Sequence, residues 1–413
     1  MKILIVSQYF WPENFRINDF IPELISKGHE VSILTGKPNY PSGKFFSDFT
    51  KNPALFLNYK GATICRVPII SRGKNSFQLL LNYLSFVISG SLVGAWKLRG
   101  FKPDLIFVYE PSPVTVGIPA VLMGKLKKAP VIFWALDLWP ETLQAVGGIR
   151  SRSILWMIEK IVRFIYNNCA LVLGQSKSFV KSIKSHCDYP DRVQYFPSWA
   201  ENLYASKDQS EHLFAPEIER NDDSFNILFA GNIADAQDMP AVLETASLLR
   251  DNKSIKWIIV GDGRRFEWLK SEVKKRKLEE NFEILGRFPL ERMPSFFAHA
   301  DALLVSLKKD PVFSLTIPAK LQTYLMTGIP ILGMLDGEGS NIIKESNSGL
   351  TSPASDSVSL AAAVTKMSLL SPKDKYQLGQ NGIEYSRKEF DRNILMDRLE
   401  NFFISAAKNY NND

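Results

Sequence analysis

Short runs of apolar residues alternate along the chain with stretches in which apolar positions recur at helical spacing. In the first half, runs rich in Val, Ile and Leu predict strands at Ile3–Ser7, Val31–Thr35, Leu105–Tyr109, Val131–Ala135 and Leu171–Gly174. Asn18–Lys27 has the pattern of a helix, and Gly28 is expected to end it. Strands that are apolar along their whole length, with helices between them, indicate a parallel sheet covered on both faces.

The same alternation restarts in the second half. Residues 205–225 are polar and charged, so we expect a linker there. Beyond it, strands are predicted at 226–230, 256–260, 282–285, 302–307 and 330–332, and helices at 240–250, 266–276 and 392–409. Because 413 residues exceed what one hydrophobic core usually supports, the sequence predicts two domains. The first comprises residues 1–204 together with a C-terminal helix at 388–413, and the second comprises residues 205–387.

One segment of the second half has the pattern of an anion site. A buried strand is predicted at Ala302–Leu307, a loop follows to Pro318, and a helix is expected to start near Ala319. The start of a helix favours anions because its backbone N–H groups are unpaired and its dipole is positive there. Pro318 suits a first-turn position. Lys320 lies in that turn, where a cation opposes the helix dipole, and a bound diphosphate would explain its presence.

Charge is unevenly distributed along the chain. Residues 1–205 carry 24 Lys and Arg against 13 Asp and Glu, whereas residues 206–413 carry 26 against 30. A basic first half is expected to face an anionic partner. No zinc-finger spacing, helix-turn-helix signal or aromatic RNA-binding motif accompanies the charge, so nucleic acid is disfavoured and a membrane surface or a lipid diphosphate is favoured. The three cysteines show neither metal-ligand spacing nor a disulfide framework, which is typical of a reducing compartment.

The stretch Asn75–Trp96 carries no charge and is flanked by Arg72, Lys74, Lys97 and Arg99. Its length would span a bilayer, but its amide and hydroxyl side chains weaken that interpretation. Three interpretations stay open: a spanning helix, a helix lying in the plane of the membrane interface, and a buried helix of the core. With the basic first half, the stretch predicts a cytoplasmic protein attached peripherally to an anionic membrane surface, the inner face of a bacterial inner membrane.

Four blocks of sequence resemble those of family 4 glycosyltransferases. They are Gly28-His-Glu-Val31, Phe229-Ala-Gly-Asn-Ile233, Ile258-Ile-Val-Gly-Asp-Gly263, and Pro318, Lys320, Thr323-Tyr324, Gly328 and Pro330 of a "PxK" pattern. Their order and spacing match across nearly the whole chain, and the subtype resembles colanic-acid, O-antigen and fucosamine transferases. The resemblance implies the α/β GT-B fold, in which two Rossmann-like domains flank a central cleft and a C-terminal helix returns to the first domain.

The resemblance also implies a reaction. A retaining transferase would move a sugar, N-acetyl-fucosamine or another HexNAc or deoxy sugar, from a UDP-sugar to a polyprenyl-diphosphate-linked glycan in O-antigen or capsule synthesis. No metal or cofactor is expected, and the sequence contains no Asp-x-Asp. Two alternatives stay open. One is a UDP-sugar 2-epimerase of the same fold. It needs acid and base carboxylates and histidines in the cleft, and the scarcity of histidine, with only four in the sequence, disfavours it. A non-catalytic nucleotide-sugar-binding subunit is the other. The oligomeric state is not predicted.

The resemblance implies a set of residues that bind the donor. They are Gly231, Asn232, Gly261, Asp262, Arg264, Arg287, Thr316, Pro318 and Thr323. Without a metal, cations must hold the diphosphate, and we expect Lys320 and Arg16 to act in catalysis. A solvated helix lysine is the alternative for Lys320, and a simple strand-to-helix turn is the alternative for Gly261-Asp-Gly263. That turn fails the dinucleotide fingerprint because Phe266 occupies the third glycine position.

Two features depart from the family pattern. The turn after Phe229 contains no Lys or Arg, which assigns more of the phosphate binding to Lys320. The family's two glutamates, eight positions apart, correspond to Leu315 and Thr323, and neither is a carboxylate. Thr323 can offer one hydroxyl. Ribose binding is therefore expected to move elsewhere or to be lost.

Acceptor chemistry is expected in the first domain. Asp137-Leu-Trp139-Pro-Glu141 follows a predicted strand, at the end where α/β proteins build their sites. We expect Asp137 to orient or deprotonate the acceptor hydroxyl, Trp139 to stack on a sugar, and Glu13 and Glu141 to bind the acceptor. The alternative is an N-capping aspartate beside a core tryptophan.

Overall fold

The computed structural model describes residues 1–73, 75–145, 148–149, 151–199, 214–219, 221 and 223–412. The chain divides into an N-terminal unit, Met1–Phe196 with Met396–Asp413, and a C-terminal unit, Pro197–Leu395. The expected linker at 205–225 lies mostly outside the described residues. Its part at 214–219 belongs to the C-terminal unit, because Ala215 is buried and its N–H donates to the Ser295 carbonyl at 3.1 Å.

The described residues of the N-terminal unit form eight strands. In chain order its elements are β1 Lys2–Val6, α1 Ile17–Ser26, β2 Glu30–Gly36, α2 Ser47–Lys51, β3 Asn58–Tyr59, β4 Ala62–Val67, α3 Ser76–Ser89, α4 Ala95–Lys97, β5 Leu105–Glu110, α5 Gly117–Lys127, β6 Val131–Ala135, α6 Glu141–Ala145, α7 Arg152–Asn167, β7 Leu171–Gly174, α8 Lys177–Ser185 and β8 Val193–Tyr195. The sheet has the order β3-β4-β2-β1-β5-β6-β7-β8 and is parallel except for β3.

Both faces of this sheet are covered, as the apolar strands require. Phe107 of β5 packs against Phe20 of α1 and Phe403, with ring centroids 5.7 and 5.1 Å away. Phe107 is in register with Ile132, so the next residue of β6, Phe133, points to the opposite face. There Phe133 meets Tyr166 of α7 at 5.7 Å. The central strands are therefore buried on both sides.

In the C-terminal unit, the part of the chain that the structure describes forms six strands. Its elements are β9 Phe225–Ala230, α9 Met239–Leu248, β10 Ile255–Val260, α10 Phe266–Lys275, β11 Phe282–Gly286, α11 Met293–Phe297, β12 Ala302–Ser306, α12 Pro311–Leu315, α13 Ala319–Met326, β13 Ile331–Met334, α14 Gly337–Glu345, β14 Gly349–Ser352, α15 Ser357–Ser368 and α16 Pro372–Glu389. The sheet is parallel, in the order β11-β10-β9-β12-β13-β14. Successive strands are added on one side of β9 up to β11 and on its other side from β12 onward. The strand order therefore reverses between β9 and β12, and α/β sheets bind ligands at such a switch point.

The last helix, α17, spans Arg392–Asn412 and packs on the N-terminal unit, as expected. Lys27 forms salt bridges with Asp397 and Glu400 at 2.6 and 2.7 Å. His29 lies 2.9 Å from Glu400 through its Nε2. The His29 side chain in the turn after α1 is thus structural.

Most predicted strands and helices are confirmed to within two or three residues. Three strands that were not predicted, β4, β8 and β14, have physical reasons. β4 was not predicted because Arg66 interrupts its apolar run. Arg66 is buried, and its guanidinium donates to the carbonyl oxygens of Gly36, at 2.9 Å, and of Trp11. β8 is only three residues long, and β14, Gly349-Leu-Thr-Ser352, contains a single large apolar residue, so neither shows an apolar run.

Residues Ser76–Lys97 form a single helix, built from α3, a π-helical turn at Gly90–Gly94 and α4. Within the described part of the chain, it is the helix with the length and composition to cross a membrane. One side is packed inside the N-terminal unit, where Asn82 and Phe86 are fully buried. The other side exposes Phe77, Leu80, Leu84, Ile88, Leu92 and Trp96, which we call the α3 stripe. The interpretation as a buried core helix is therefore wrong for this side.

Candidate active site

Glycine-rich turns follow the two neighbouring strands β9 and β10. Gly231 has a φ of +140° and Gly261 one of +151°, both in the region that favours glycine. The two turns are in contact, since a Cβ on Gly261 would lie 1.9 Å from the Gly231 carbonyl oxygen. The structure thus brings Gly231 and Gly261 together at the carboxyl edge of the sheet, next to the point where the strand order reverses.

Lys320 lies in the first turn of α13, as the sequence predicts, and its side chain reaches back to β9. Its Nζ is 3.5 Å from the ring centroid of Phe229, and a Cβ on Gly231 would lie 3.3 Å from Nζ. Nζ is shielded from solvent and has no hydrogen-bond partner among the described residues. Burial lowers the pKa of Lys320 to about 7. The aromatic face supplies some attraction for the cation, but no counter-charge.

Tyr324 sets the position of this helix. Its hydroxyl accepts a hydrogen bond from the Ala230 N–H at 2.9 Å and donates to the Ala230 carbonyl at 3.2 Å. Tyr324 is 1% exposed, so the hydrogen bonds are protected from water. One turn earlier, Lys320 is thereby held beside the turn that follows β9. In the sequence Tyr324 is only part of a motif, and this role depends on its contact with the distant Ala230.

The loop before α13 and the start of α14 complete the edge. Pro318 immediately precedes α13, and Thr316 donates its hydroxyl to the Val312 carbonyl at 3.1 Å. Thr323 is buried within α13. The N-terminus of α14 packs against α12, because a Cβ on Gly337 would lie 1.9 Å from the Ser314 carbonyl oxygen. This second helix N-terminus is not among the features predicted from the sequence.

The remaining predicted donor residues lie on exposed turns. Asn232, Asp262, Arg264 and Arg287 are all exposed. The Asp262 carboxylate accepts from the Gly263 N–H at 2.7 Å, which fixes the turn after β10. Arg287 follows β11, two strands away from β9, and strands are spaced about 4.8 Å apart. Of these residues, Asn232 and Asp262 therefore lie on the turns nearest to Lys320.

Asp137 follows β6 in the N-terminal unit and is held by several hydrogen bonds. Thr142 donates to one carboxylate oxygen at 2.6 Å, and the indole N–H of Trp139 donates to the other at 3.2 Å. The Ser112 side chain also bonds to it. Burial raises the pKa of Asp137 although these hydrogen bonds oppose the rise. A carboxylate with a raised pKa is suited to proton transfer. Trp139 is 8% exposed and supports Asp137.

A second carboxyl group, missed by the sequence analysis, lies beside Asp137. Glu110 ends β5, is fully buried, and accepts from the Asp137 N–H at 3.3 Å. Burial and the nearby Asp137 carboxylate hold the pKa of Glu110 well above its ordinary value, which favours the protonated form of the group. In the sequence, the feature that could have indicated this group is a glutamate at the end of the apolar run of β5. Arg16 directly precedes α1, and its backbone bonds to the hydroxyl of Tyr109.

The two glutamates expected at the acceptor have internal partners. Glu13 is 2% exposed, and its carboxylate accepts from the N–H groups of Asn39 and Tyr40, both at 2.7 Å, and of Phe10, at 3.0 Å. Burial raises the pKa of Glu13 to about 7 despite these bonds. Any contribution of Glu13 to an acceptor site is therefore through the loops it joins.

Glu141 is likewise directed into the unit. Its carboxylate accepts from the Ser182 hydroxyl at 2.5 Å and lies 3.5 Å from His186 of the turn after α8. Burial acts to raise the pKa of Glu141, but the hydrogen bonds from His186 and Ser182 lower it overall. Among the described residues, no group of His, Cys, Asp and Glu is arranged to hold a metal ion.

Comparisons with known proteins agree with this architecture. Residues 211–385 match the family model of glycosyl transferases group 1. A putative colanic acid biosynthesis glycosyl transferase, WcaI, of Escherichia coli K12 is 25% identical over 346 residues, which cover 79% of this chain and 82% of that protein.

Two solved structures share the fold. A glycosyltransferase of Rickettsia africae has a TM-score of 0.73 at 14% identity and covers 99% of both chains. Anabaena Alr3699/HepE, solved in complex with UDP-glucose, has a TM-score of 0.65 at 12% identity and covers 98% of this chain and 100% of its own. With the two Rossmann-like units, these matches show the GT-B fold and support a glycosyltransferase, whose residues 211–385 match the group 1 glycosyl transferase model.

Proposed function

We propose that this glycosyltransferase moves a sugar from a UDP-sugar to a polyprenyl-diphosphate-linked glycan during bacterial surface polysaccharide synthesis. The observation that carries the proposal is Lys320. A buried ammonium group without a counter-charge is costly for the fold, and its position beside Gly231 suits a diphosphate anion. The name of the E. coli relative supports polysaccharide synthesis, and the UDP-glucose complex of HepE supports a UDP-linked donor.

Lys320 has a direct role in the proposed reaction. As the bond between the sugar and the diphosphate breaks, negative charge grows on the leaving phosphate. The amine of Lys320 neutralises that charge, and the N-termini of α13 and α14 add their dipoles. The low pKa of Lys320 rises when the diphosphate arrives, so the amine is protonated in the complex. Neither a metal nor a cofactor is required for these roles, and retention of configuration rests on the family resemblance.

Asp137 is proposed to accept the proton of the acceptor hydroxyl. The raised pKa of Glu110 disfavours a second negative charge beside Asp137, and Trp139 and Thr142 hold the Asp137 carboxylate in one orientation. The identity of the sugar, N-acetyl-fucosamine or another HexNAc or deoxy sugar, rests on the resemblance alone. UDP-linked donors of these classes are the panel to assay.

The acceptor lipid implies a membrane, and the α3 stripe supports peripheral attachment on the cytoplasmic face. Leu92 is 68% exposed and Trp96 is 64% exposed. Exposed apolar patches of this type mark interaction sites. On α7, Trp156 and Met157 are also exposed and lie close in sequence to Lys160, whose amine is over the Trp156 ring. Apolar side chains mixed with cations are typical of surfaces that bind anionic lipid.

A transfer assay tests the proposal. Labelled UDP-sugars are incubated with the full chain and bacterial lipid extract, and incorporation into lipid is measured together with the affinity for UDP. Wild type should transfer at least one sugar. Lys320→Ala should bind UDP about tenfold to a hundredfold more weakly, since a charge-assisted hydrogen bond contributes about 1.5–3 kcal/mol. Lys308→Ala, an exposed lysine on the loop after β12, is the control. Equal UDP affinity of both variants would remove Lys320 from the donor site.

A further inference from the structure

Arg72, in the segment between β4 and α3, is held in an aromatic setting. Its Nη1 donates to the Tyr9 hydroxyl at 3.0 Å, and its side chain also bonds to the Tyr83 hydroxyl. The guanidinium carbon lies 5.4 Å from the ring centroid of Tyr40. The backbone N–H of Arg72 donates to the Asn39 side chain at 2.8 Å. The guanidinium is therefore fixed in position while remaining partly exposed.

No salt bridge neutralises Arg72 within the part of the chain that the structure describes. Its contacts are with neutral hydroxyl groups, because burial raises the pKa values of Tyr9 and Tyr83. A guanidinium stays charged at every accessible pH and has five N–H donors. The contacts with two hydroxyls leave part of this fork for an anion, and a fork of this type matches phosphate oxygens.

Arg72 is also close to the proposed acceptor base. The Tyr83 hydroxyl bonds to Ser112, and the Ser112 side chain bonds to Asp137. Three successive hydrogen bonds of about 3 Å place the guanidinium within about 9 Å of the Asp137 carboxylate. The Tyr83 and Trp139 rings, with centroids 6.2 Å apart, line the same region. A sugar phosphate bound in this region can therefore have a hydroxyl at Asp137 and its phosphate at Arg72.

The exposed apolar surface begins next to Arg72. Asn82 of α3 donates to the Ile70 carbonyl at 2.6 Å, and the Ile70 N–H donates to the Ser85 hydroxyl at 2.9 Å. Ile70 is 49% exposed. Leu80 and Leu84 of the α3 stripe, which flank Asn82 on the same helix, are exposed as well. Along the N-terminal unit the order is therefore a carboxylate, a fixed cation and an apolar surface. A lipid-linked glycan has the matching order of sugar hydroxyl, diphosphate and hydrocarbon.

We propose that Arg72 binds the diphosphate of the lipid-linked acceptor, with the α3 stripe covering the start of its hydrocarbon chain. The inference rests on the proposed function, and it assigns the acceptor's anion to the N-terminal unit. Arg72 contacts the acceptor, whereas Tyr9 and Tyr83 position the guanidinium. The donor diphosphate keeps Lys320 as its partner, so the two anions of the reaction have separate cations.

Binding of farnesyl diphosphate and farnesol to the full chain tests this role, with UDP as a third ligand. Arg72→Gln should weaken binding of farnesyl diphosphate about tenfold to a hundredfold, the effect of losing a charge-assisted pair. Binding of farnesol and UDP should be unchanged. Arg99→Gln is the control, because Arg99 lies over Trp96 at the far end of the α3 stripe, 4.9 Å from its ring centroid. Arg72→Lys, which keeps the charge but not the fork, should fall between wild type and Arg72→Gln.

Each other outcome overturns the inference. Equal affinity of wild type and Arg72→Gln for farnesyl diphosphate, or no binding by wild type, removes the diphosphate from Arg72. An equal loss for farnesyl diphosphate, farnesol and UDP assigns Arg72 a structural role, and a lower melting temperature of Arg72→Gln but not of Arg72→Lys would agree with it. The proposed function fails separately, when wild type transfers no sugar from any UDP-sugar to lipid. Transfer by wild type with an unselective Arg72→Gln defect refutes only the role of Arg72.

Discussion

Replacing Lys320 by methionine is expected to stabilise the C-terminal unit while removing donor binding. Methionine fills a similar volume, packs well against the Phe229 ring and has no charge to bury. The wild-type amine is shielded from solvent and has no hydrogen-bond partner among the described residues. Functional groups of this type commonly reduce stability, so their removal raises it. Lys308→Met, at an exposed lysine, should leave stability nearly unchanged.

The magnitude follows from the pKa of Lys320, which burial lowers from 10.5 to about 7. Each tenfold change in proton affinity is worth about 1.4 kcal/mol, so charging the buried amine costs about 5 kcal/mol at low pH. At pH 7 the amine is about half protonated, and the cost is then about 4 kcal/mol. Because the Phe229 ring relieves part of this cost, Lys320→Met should raise the free energy of unfolding by about 2–4 kcal/mol.

The pH dependence gives the sharper measurement. Between pH 7 and 10.5 the unfolded chain holds the Lys320 proton and the folded chain does not. Wild-type stability should therefore rise with pH across this window, by up to about 1.4 kcal/mol per pH unit, and the cost should be fully present below pH 7. Urea unfolding, followed by tryptophan fluorescence at pH 6, 7, 8 and 9, measures this contribution as the difference between wild type and Lys320→Met.

The difference between the two proteins should shrink steadily from pH 7 to pH 9. Parallel pH profiles would show that the Lys320 amine has an ordinary pKa and is solvated. A lower stability of Lys320→Met at every pH would show that the amine has a stabilising partner. Either result would also weaken the argument that Lys320 needs the donor diphosphate as its counter-charge.

Two other predictions concern the N-terminal unit. Asp137→Asn keeps the size of the side chain but removes its charge and one of the two oxygens that accept hydrogen bonds, so we expect turnover to fall about 10²- to 10⁴-fold while UDP affinity stays within a factor of two, and a matching loss of UDP affinity would contradict an acceptor-side role. The double variant Ile88→Ser and Leu92→Ser should pellet less with anionic vesicles at low salt and stay folded, because both side chains are exposed. Phe86→Ser, at a fully buried position of the same helix, should instead destabilise the protein, and unchanged pelleting of the double variant would show that the α3 stripe does not contact lipid.

The sequence by itself determined most of the strands in both sheets and that they are buried between helices. Strand runs such as Val131–Ala135 and Leu171–Gly174 were predicted with the bounds that the structure has, because a strand buried on both faces is apolar at every position. The same local reasoning placed Lys320 in the first turn of a helix. Periodicity, turn residues and helix starts depend on neighbours in the chain, so one sequence contains enough information to predict them.

Only the tertiary structure decided what each polar side chain does, because the partners are distant in the chain. Glu13 and Glu141 have the residue type of a binding site, yet Glu13 accepts from Asn39 and Tyr40, and Glu141 from Ser182. Glu110 gave only a weak signal, since a strand-ending carboxylate is ordinary until the next strand's loop is folded over it.

Arg72 and Lys320 make the same point for cations. In the sequence, Arg72 is one of several basic residues that flank an apolar stretch, and the fold then sets its guanidinium against Tyr9 and Tyr83. For Lys320, the Tyr324 hydroxyl holds α13 against β9, so the amine lies over Phe229 and loses its water. The loss of water around a side chain and the choice of its partners depend on how helices and strands pack together. That packing brings together segments that are distant in the chain, so it cannot be read from local sequence.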